Sequence, residues 1–206
     1  MSNASRRAIA HLLGIAAGVG VLALCGALVD PDRVAAGELP AFRAVNGLPD
    51  ALYRPVWVVM QLGNIVAAPA AVLVALVLRR WRPAGAFAFV GGGKIVMARV
   101  VKRIVVRHRP DSLVEDVVLR GDASPTGLAF VSGHAVVAVG LATVLHPYLD
   151  TKGRIAAWAL AVAVCFGRVY VGAHLPLDVV GGAGLGLAIG SIANLLLARR
   201  PRAGDA

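Results

Sequence analysis

The sequence predicts an all-α, polytopic membrane protein of six transmembrane helices in one bundle, with both termini on the cytoplasmic side. Three observations carry that expectation. The 206 residues are 58% hydrophobic and only 16% charged, where a soluble domain carries about 25% charged residues, and the mean hydropathy is +0.76. The apolar residues fall in runs long enough to cross a bilayer, which takes about 20 residues. The basic residues gather at the ends of those runs, as membrane topology demands. The net charge of +10 therefore does not mark a nucleic-acid-binding protein, because little soluble surface remains for a basic footprint. Cys25 and Cys165 each lie inside an apolar run, where a thiol behaves as a small hydrophobe, and two isolated cysteines make neither a disulfide framework nor a metal site.

The first span, 8–29, follows Arg6 and Arg7 and is too long for a signal-peptide core, so it reads as an uncleaved helix. Asp30, Pro31 and Asp32 end it. From there to Arg54 the chain mixes Pro31, Pro40 and Pro49 with charges of both signs. Leu39, Phe42 and Val45 at three-residue spacing fit a short interfacial helix, and a proline-punctuated loop fits the same stretch. The second span, 56–78, is uncharged and is closed by Arg79, Arg80 and Arg82. The third, 84–106, contains Gly91, Gly92 and Gly93, which permit close helix packing. It also holds Lys94 and Arg99, which at membrane depth must face the bundle interior or water. The fourth span is 128–149, followed by a polar turn over 150–154. The fifth is 155–173, and the sixth, 177–198, is rich in glycine and closed by Arg199, Arg200 and Arg202. With no linker and no repeat of fixed period, residues 1–206 read as a single membrane-embedded domain.

With the N-terminus inside, the inner segments hold Arg6, Arg7, Arg79, Arg80, Arg82, Lys152, Arg154, Arg199, Arg200 and Arg202 against only Asp150 and Asp205. That is a strong positive-inside bias. It leaves Lys102, Arg103, Arg107, Arg109, Arg120 and Arg168 on the outer side, where the rule gives no reason for them. The third and fifth connections both fall outside, so the charged clusters share one face.

Those clusters have the chemistry of phosphoryl transfer. Lys102 and Arg109, seven residues apart, can hold an anion, Arg through its bidentate fork and Lys as a point charge; lipid headgroups would attract the same pair. Ser132, Gly133 and His134 stand at the start of the fourth span, where unpaired backbone N–H groups suit phosphate oxygens. Gly133 leaves the approach open, and the Ser132 hydroxyl can cap the helix or donate to a ligand. Pro176 favours a helical first turn, so the sixth helix starts near His174, and a spacing of four lets the Asp178 carboxylate reach the His174 imidazole. Such a carboxylate fixes the tautomer and leaves the other ring nitrogen as nucleophile or base; a plain first-turn Asp beside a solvated His would satisfy the helix dipole as well. Arg168, six residues before His174, can close on the same anion. A nucleophile, an orienting carboxylate, a second histidine as general acid and three cations make a set able to address a very slow uncatalysed hydrolysis. The two histidines then need opposite resting states, His174 neutral and His134 protonated.

These residues resemble the three-part signature of the type 2 phosphatidic acid phosphatase superfamily, which includes lipid phosphate phosphatases and vanadium haloperoxidases. Lys-x6-Arg-Pro is complete from Lys102 to Pro110. Pro-Ser-Gly-His reads Val131, Ser132, Gly133, His134, and Ser-Arg-x5-His-x3-Asp reads Gly167, Arg168, His174, Asp178. Val131 and Gly167 depart from the pattern, and loss of the serine before Arg168 bears on rate or substrate preference more than on reaction class. The resemblance implies a lipid phosphatase working through a phosphohistidine at His174, oriented by Asp178, with His134 protonating the leaving group. Lys102, Arg109, Ser132, Gly133 and Arg168 would hold the phosphoryl oxygens. It implies no metal and no cofactor, and its partners are a lipid phosphate substrate and membrane lipids.

The expected enzyme is integral to a bacterial-type inner membrane with its site facing outward. Its substrate would be a polyprenyl pyrophosphate, phosphatidylglycerophosphate or phosphatidic acid. A lipid phosphotransferase is the nearest alternative. A non-catalytic lipid transporter or scaffold, motivated by Lys94 and Arg99, is the alternative from another class, and intact His134, His174 and Asp178 argue against it.

Overall fold

The structure, a computed structural model, describes residues 2–197 apart from Asp122, Ser124 and Pro125. The basic cluster Arg199, Arg200 and Arg202, with Asp205 and the end of the last span, lies outside the described residues. Among the described residues the secondary structure is entirely helical: α1 Asn3–Leu28, α2 Glu38–Asn46, α3 Tyr53–Met60, α4 Ala67–Val77, α5 Trp81–Ile104, α6 Pro110–Leu113, α7 Gly133–Leu145, α8 Thr151–Tyr170 and α9 Pro176–Leu197. Helices α1, α5, α8 and α9 are each long and apolar enough to cross a membrane.

Two of the expected spans take a different form. The stretch assigned to 56–78 is broken: Asp50–Gly63 and Ala67–Val77 are bent by 63° about the intervening residues. Pro69 sits in the first turn of α4, where its missing N–H costs nothing, whereas inside a continuous helix it would delete a hydrogen bond and clash. The Asn64 side chain stabilises the break, donating to Gln61 Oε1 at 3.2 Å and accepting from the Val66 N–H at 3.4 Å. The fourth span is also shorter than 128–149, since α7 has 13 residues and is about 20 Å long. The chain before it is extended and tied down by the Ala129 N–H donating to the Arg107 carbonyl at 2.9 Å and the Ser132 N–H to the Asp178 carbonyl at 2.9 Å. Those bonds fix where the helix can begin.

Helix α7 is the buried axis of the bundle, with most of its residues inaccessible. Helix α9 lies between α7 and α1, and small residues let all three backbones approach. A Cβ at Gly186 would stand 2.5 Å from the Val136 carbonyl, and one at Gly182 2.6 Å from the Ser132 carbonyl. On the α1 side, a Cβ at Gly18 would stand 2.5 Å from the Gly184 carbonyl. The glycine triplet of α5 works in the same way, with Gly91 against Ala68 and Gly93 against Ile189. Outside this core, Leu12, Leu13, Leu24, Leu73, Val77 and Ile104 are exposed, the lipid-facing apolar belt of a membrane bundle.

The 39–45 stretch is the helix α2, with Phe42 buried against Val114, Val169 and Leu175. The ends of α5 and α8 and the starts of α7 and α9 meet at one end of the bundle, and α2 packs over it against α8 and α9.

Candidate active site

At that end α8 gives way to α9 through a tight turn at Gly172, whose φ of +77° and a Val118 carbonyl only 2.7 Å from any Cβ exclude a side chain. The turn folds back so that the N–H groups of Ala173 and His174 both donate to the Arg168 carbonyl at 3.2 Å. His174 is thereby set beside Arg168, and α9 begins two residues later.

Asp178, fully buried in the first turn of α9, accepts the Leu175 N–H on Oδ2 at 2.9 Å. The same oxygen stands 3.6 Å from His174 Nδ1, which makes no hydrogen bond of its own. The separation is longer than a formed hydrogen bond. Burial pushes the His174 imidazole down to about 4, with Asp178 pulling it back up and Arg168 and Arg109 opposing its charge. His174 is therefore neutral at pH 7, with a lone pair to offer.

Ser132 is the N-cap of α7, yet its side chain makes no capping bond, and its buried Oγ has no hydrogen-bond partner. A buried hydroxyl left unpaired costs roughly 1–3 kcal/mol, and of the two roles open to Ser132 from sequence it does not play the capping one here. The first-turn N–H groups of α7 point out of the same helix end.

The cations are anchored on the strands of chain that carry these groups. Lys102 donates to the carbonyls of Leu128 and, at 3.2 Å, Ala129. Arg109 donates from Nε to the Thr126 carbonyl at 2.8 Å and from Nη1 to the Ala173 carbonyl at 3.1 Å. Arg168 is buried, with Nη1 3.9 Å from Met60 Sδ. His134 lies within electrostatic reach of Arg168, His174 and Lys94, all of them groups that bear or can take positive charge. A bound phosphoryl anion would supply the countercharge that a protonated His134 needs. Among the described residues no three His, Cys, Asp or Glu side chains converge as a metal set.

Two residues here escaped the sequence reading. Arg107, noted there only as an unexplained outer charge, is fully buried. It donates to Glu38 at 2.5 Å and 3.0 Å and to Asp178 Oδ1 at 3.1 Å. Its pKa rises above the ordinary value because, although burial opposes the charge, Glu38 and Asp178 outweigh it. Glu38, the first residue of α2, also accepts the Leu177 N–H at 2.7 Å. The available signal was a buried-sign mismatch, one Arg more than an anion site needs and a lone Glu in the 30–54 segment, but no spacing rule links them. Arg120, another unexplained cation, is a structural staple: it bonds Asp50 and the carbonyls of Asn46, Leu48 and Tyr170. Arg103 is exposed.

An apolar helical bundle thus gathers histidines, a buried carboxylate and several cations around an open helix end, an arrangement able to hold a phosphoryl group in a membrane. The sequence model of the PAP2 superfamily matches residues 60–202. The decaprenylphosphoryl-5-phosphoribose phosphatase of Mycobacterium tuberculosis is 30% identical over 151 residues, covering 71% of this chain and 75% of that protein. The undecaprenyl-diphosphatase of Sulfolobus acidocaldarius is 38% identical over 93 residues, 43% of this chain and 42% of that one. The crystal structure of LpxE from Aquifex aeolicus superposes with a TM-score of 0.69 at 25% identity, covering 77% of this chain and 95% of that one. That of a transmembrane PAP2 type phosphatidylglycerolphosphate phosphatase from Bacillus subtilis gives 0.64 at 22% identity, over 86% and 94%, and shares the fold. The chain belongs to the PAP2 superfamily, as an integral membrane lipid phosphatase.

Proposed function

We propose that the protein hydrolyses a phosphate monoester or diphosphate of a lipid at the outer face of a bacterial inner membrane, through a phosphohistidine on His174. The observation that carries this reading is the convergence of a neutral, Asp178-backed His174 with the unpartnered Ser132 hydroxyl at the open N-terminus of α7. His174 Nε2 attacks phosphorus as the P–O bond to the lipid breaks. The electron pair goes to the lipid oxygen, which takes a proton from His134. Water then attacks the phosphohistidine, His134 takes that water's proton, and the N–P bond breaks to release phosphate and restore His174. The Nδ1–H of His174 faces Asp178 throughout, so the positive charge that develops on the ring is matched by the carboxylate. Lys102, Arg109, Arg168, Ser132 and Gly133 hold the phosphoryl oxygens, with no metal ion taking part.

On this reading residues 1–206 belong to a single membrane-embedded phosphatase domain. α1, the bent Asp50–Gly63 and Ala67–Val77 pair, α5, α7, α8 and α9 serve as its six crossings, with α7 shielded from lipid by the others. The positive-inside bias supports cytoplasmic termini and a site on the outer face. A substrate presented at that face fits best, a polyprenyl diphosphate foremost, with phosphatidylglycerophosphate and phosphatidic acid next. The test is phosphate release by the detergent-purified protein with chelator present, across those three lipids, beside His174→Ala. Release that persists with chelator and vanishes in the variant is expected. Release that needs added metal, or that survives in His174→Ala, overturns the mechanism. A phosphorylated lipid acceptor in place of free phosphate would make it a phosphotransferase.

A further inference from the structure

Lys94 lies eight residues before Lys102 on α5, about 12 Å further along the helix axis and therefore deeper in the bilayer than the outer-face cations. Its side chain does not run to lipid. A Cβ added at Gly133 would stand 2.9 Å from Lys94 Cε and 3.5 Å from Nζ, so the ammonium lies over the backbone that opens α7. No carboxylate among the described residues comes within ion-pair distance of it, each buried acid being engaged elsewhere: Glu38 and Asp178 both bind Arg107. At the same helix end the buried Ser132 Oγ stands without a partner. A cation at membrane depth needs a counterion, and here it shares a helix terminus with a hydroxyl and backbone N–H groups that favour an anion.

We propose that Lys94 binds a second phosphoryl group, the one that stays with the lipid, and so selects substrates whose leaving group is itself a phosphate. This rests on the phosphatase reading above and names its substrate class as lipid diphosphates. The geometry gives the assignment a direction. The transferred phosphoryl group is held by the outer cations at His174, and the lipid tail must run from it toward the bilayer centre. The Lys94 side chain rises from that inward side to the first residue of α7, within electrostatic reach of His134, where the leaving oxygen must be. In a diphosphate the bond that breaks joins the outer phosphorus to the bridging oxygen. The electron pair passes to that oxygen, His134 protonates it, and the remaining lipid monophosphate bears the charge that Lys94 neutralises. A monophosphate ester has an uncharged alcohol leaving group and gives Lys94 nothing to bind.

The test compares wild type with Lys94→Met, in detergent micelles with chelator, on geranylgeranyl diphosphate and geranylgeranyl monophosphate, which share one tail. Methionine fits an apolar span, and an unchanged thermal midpoint and elution profile show that the variant folds. Loss of a charged hydrogen bond predicts a fall in kcat/KM on the diphosphate of about 10-fold to 100-fold, with the monophosphate changed by less than about threefold. Lys94→Gln, which keeps a donor without the charge, is expected to lie between. Equal losses on both substrates, or no loss on either, overturn the inference while leaving the phosphatase reading intact, as does a wild type that prefers the monophosphate. Wild-type turnover of neither lipid, or turnover that survives His174→Ala, overturns the phosphatase reading itself.

Discussion

Arg107 Nη1 stands 3.1 Å from Asp178 Oδ1 and 3.0 Å from Glu38 Oε1, with all three side chains buried. The guanidinium thus joins α2 to the carboxylate that faces His174. Two buried carboxylates around one arginine leave a net negative charge, which a cationic His174 would offset as phosphoryl transfer proceeds. In the proposed mechanism Arg107 and Glu38 would act as positioning residues, through their contacts with Asp178 and the start of α9.

Glu38→Gln keeps the shape and turns an amide donor toward the arginine. It is expected to lower kcat by roughly 10-fold to 100-fold with KM nearly unchanged. Steady-state kinetics on one lipid substrate checks this. The double variant Glu38→Gln, Asp178→Asn should be no slower than Asp178→Asn alone, because both act through one carboxylate. A purely structural Glu38 would instead add its own loss. Arg107→Ala strands two buried carboxylates and should cost about 3–5 kcal/mol of stability, read as a failure to elute as a folded species.

That triad was illegible in the sequence for a plain reason. Glu38 and Arg107 are 69 residues apart and meet only because α2 folds over the site end of the bundle. The legible parts were local. His174 and Asp178 share a helix start, Ser132 and Gly133 open another, and Lys102 and Arg109 flank the end of α5. Periodicity and hydropathy gave the long helices, but hydropathy does not see backbone geometry. The break before α4 follows from Pro69 and Asn64, and the late start of α7 from backbone bonds to Arg107 and Asp178. The short helix α2 was one of two open readings, decided by burial of Phe42 and Glu38.

Ser132→Ala separates binding from folding. Removing a buried hydroxyl that has no partner should leave the thermal midpoint unchanged or raise it, by up to about 1 kcal/mol in stability. The same change should weaken inhibition by inorganic phosphate by about 10-fold. A calorimetric midpoint and a phosphate inhibition constant measured on one preparation check both signs.

The His174 imidazole sets an acid limit. Its pKa falls from 6.5 to about 4 on burial, and in the proposed mechanism only the neutral ring attacks. The log of kcat/KM should therefore hold level down to about pH 4 and fall below it, where an unperturbed histidine would begin to fall near 6.5. Stability follows by linkage. Between pH 6.5 and about 4 the unfolded chain binds the proton and the folded one does not, so stability declines as pH drops through that window and levels off below it. In Asp178→Asn the upward pull on the ring is lost, and the acid limit moves lower still.

Gly186→Ala tests the helix packing that places α7. A Cβ there would stand 2.5 Å from the Val136 carbonyl, so α7 and α9 must separate. Overpacking of this kind costs about 1–3 kcal/mol, read as a lower thermal midpoint in detergent. Gly92→Ala, where a Cβ inside α5 meets nothing within 4 Å, should leave the midpoint unchanged or raise it.

The proposed reaction turns on a covalent phosphoryl group at His174, and trapping that group tests it most directly. Wild type and His134→Ala would be mixed with substrate labelled in the transferred phosphate, quenched under alkaline conditions that preserve phosphohistidine, and mapped by peptide mass spectrometry. Label is expected on His174 and on no other residue, and is expected to be absent in His174→Ala. Phosphate release with no label on His174, or with label on another residue, would contradict the proposed reaction.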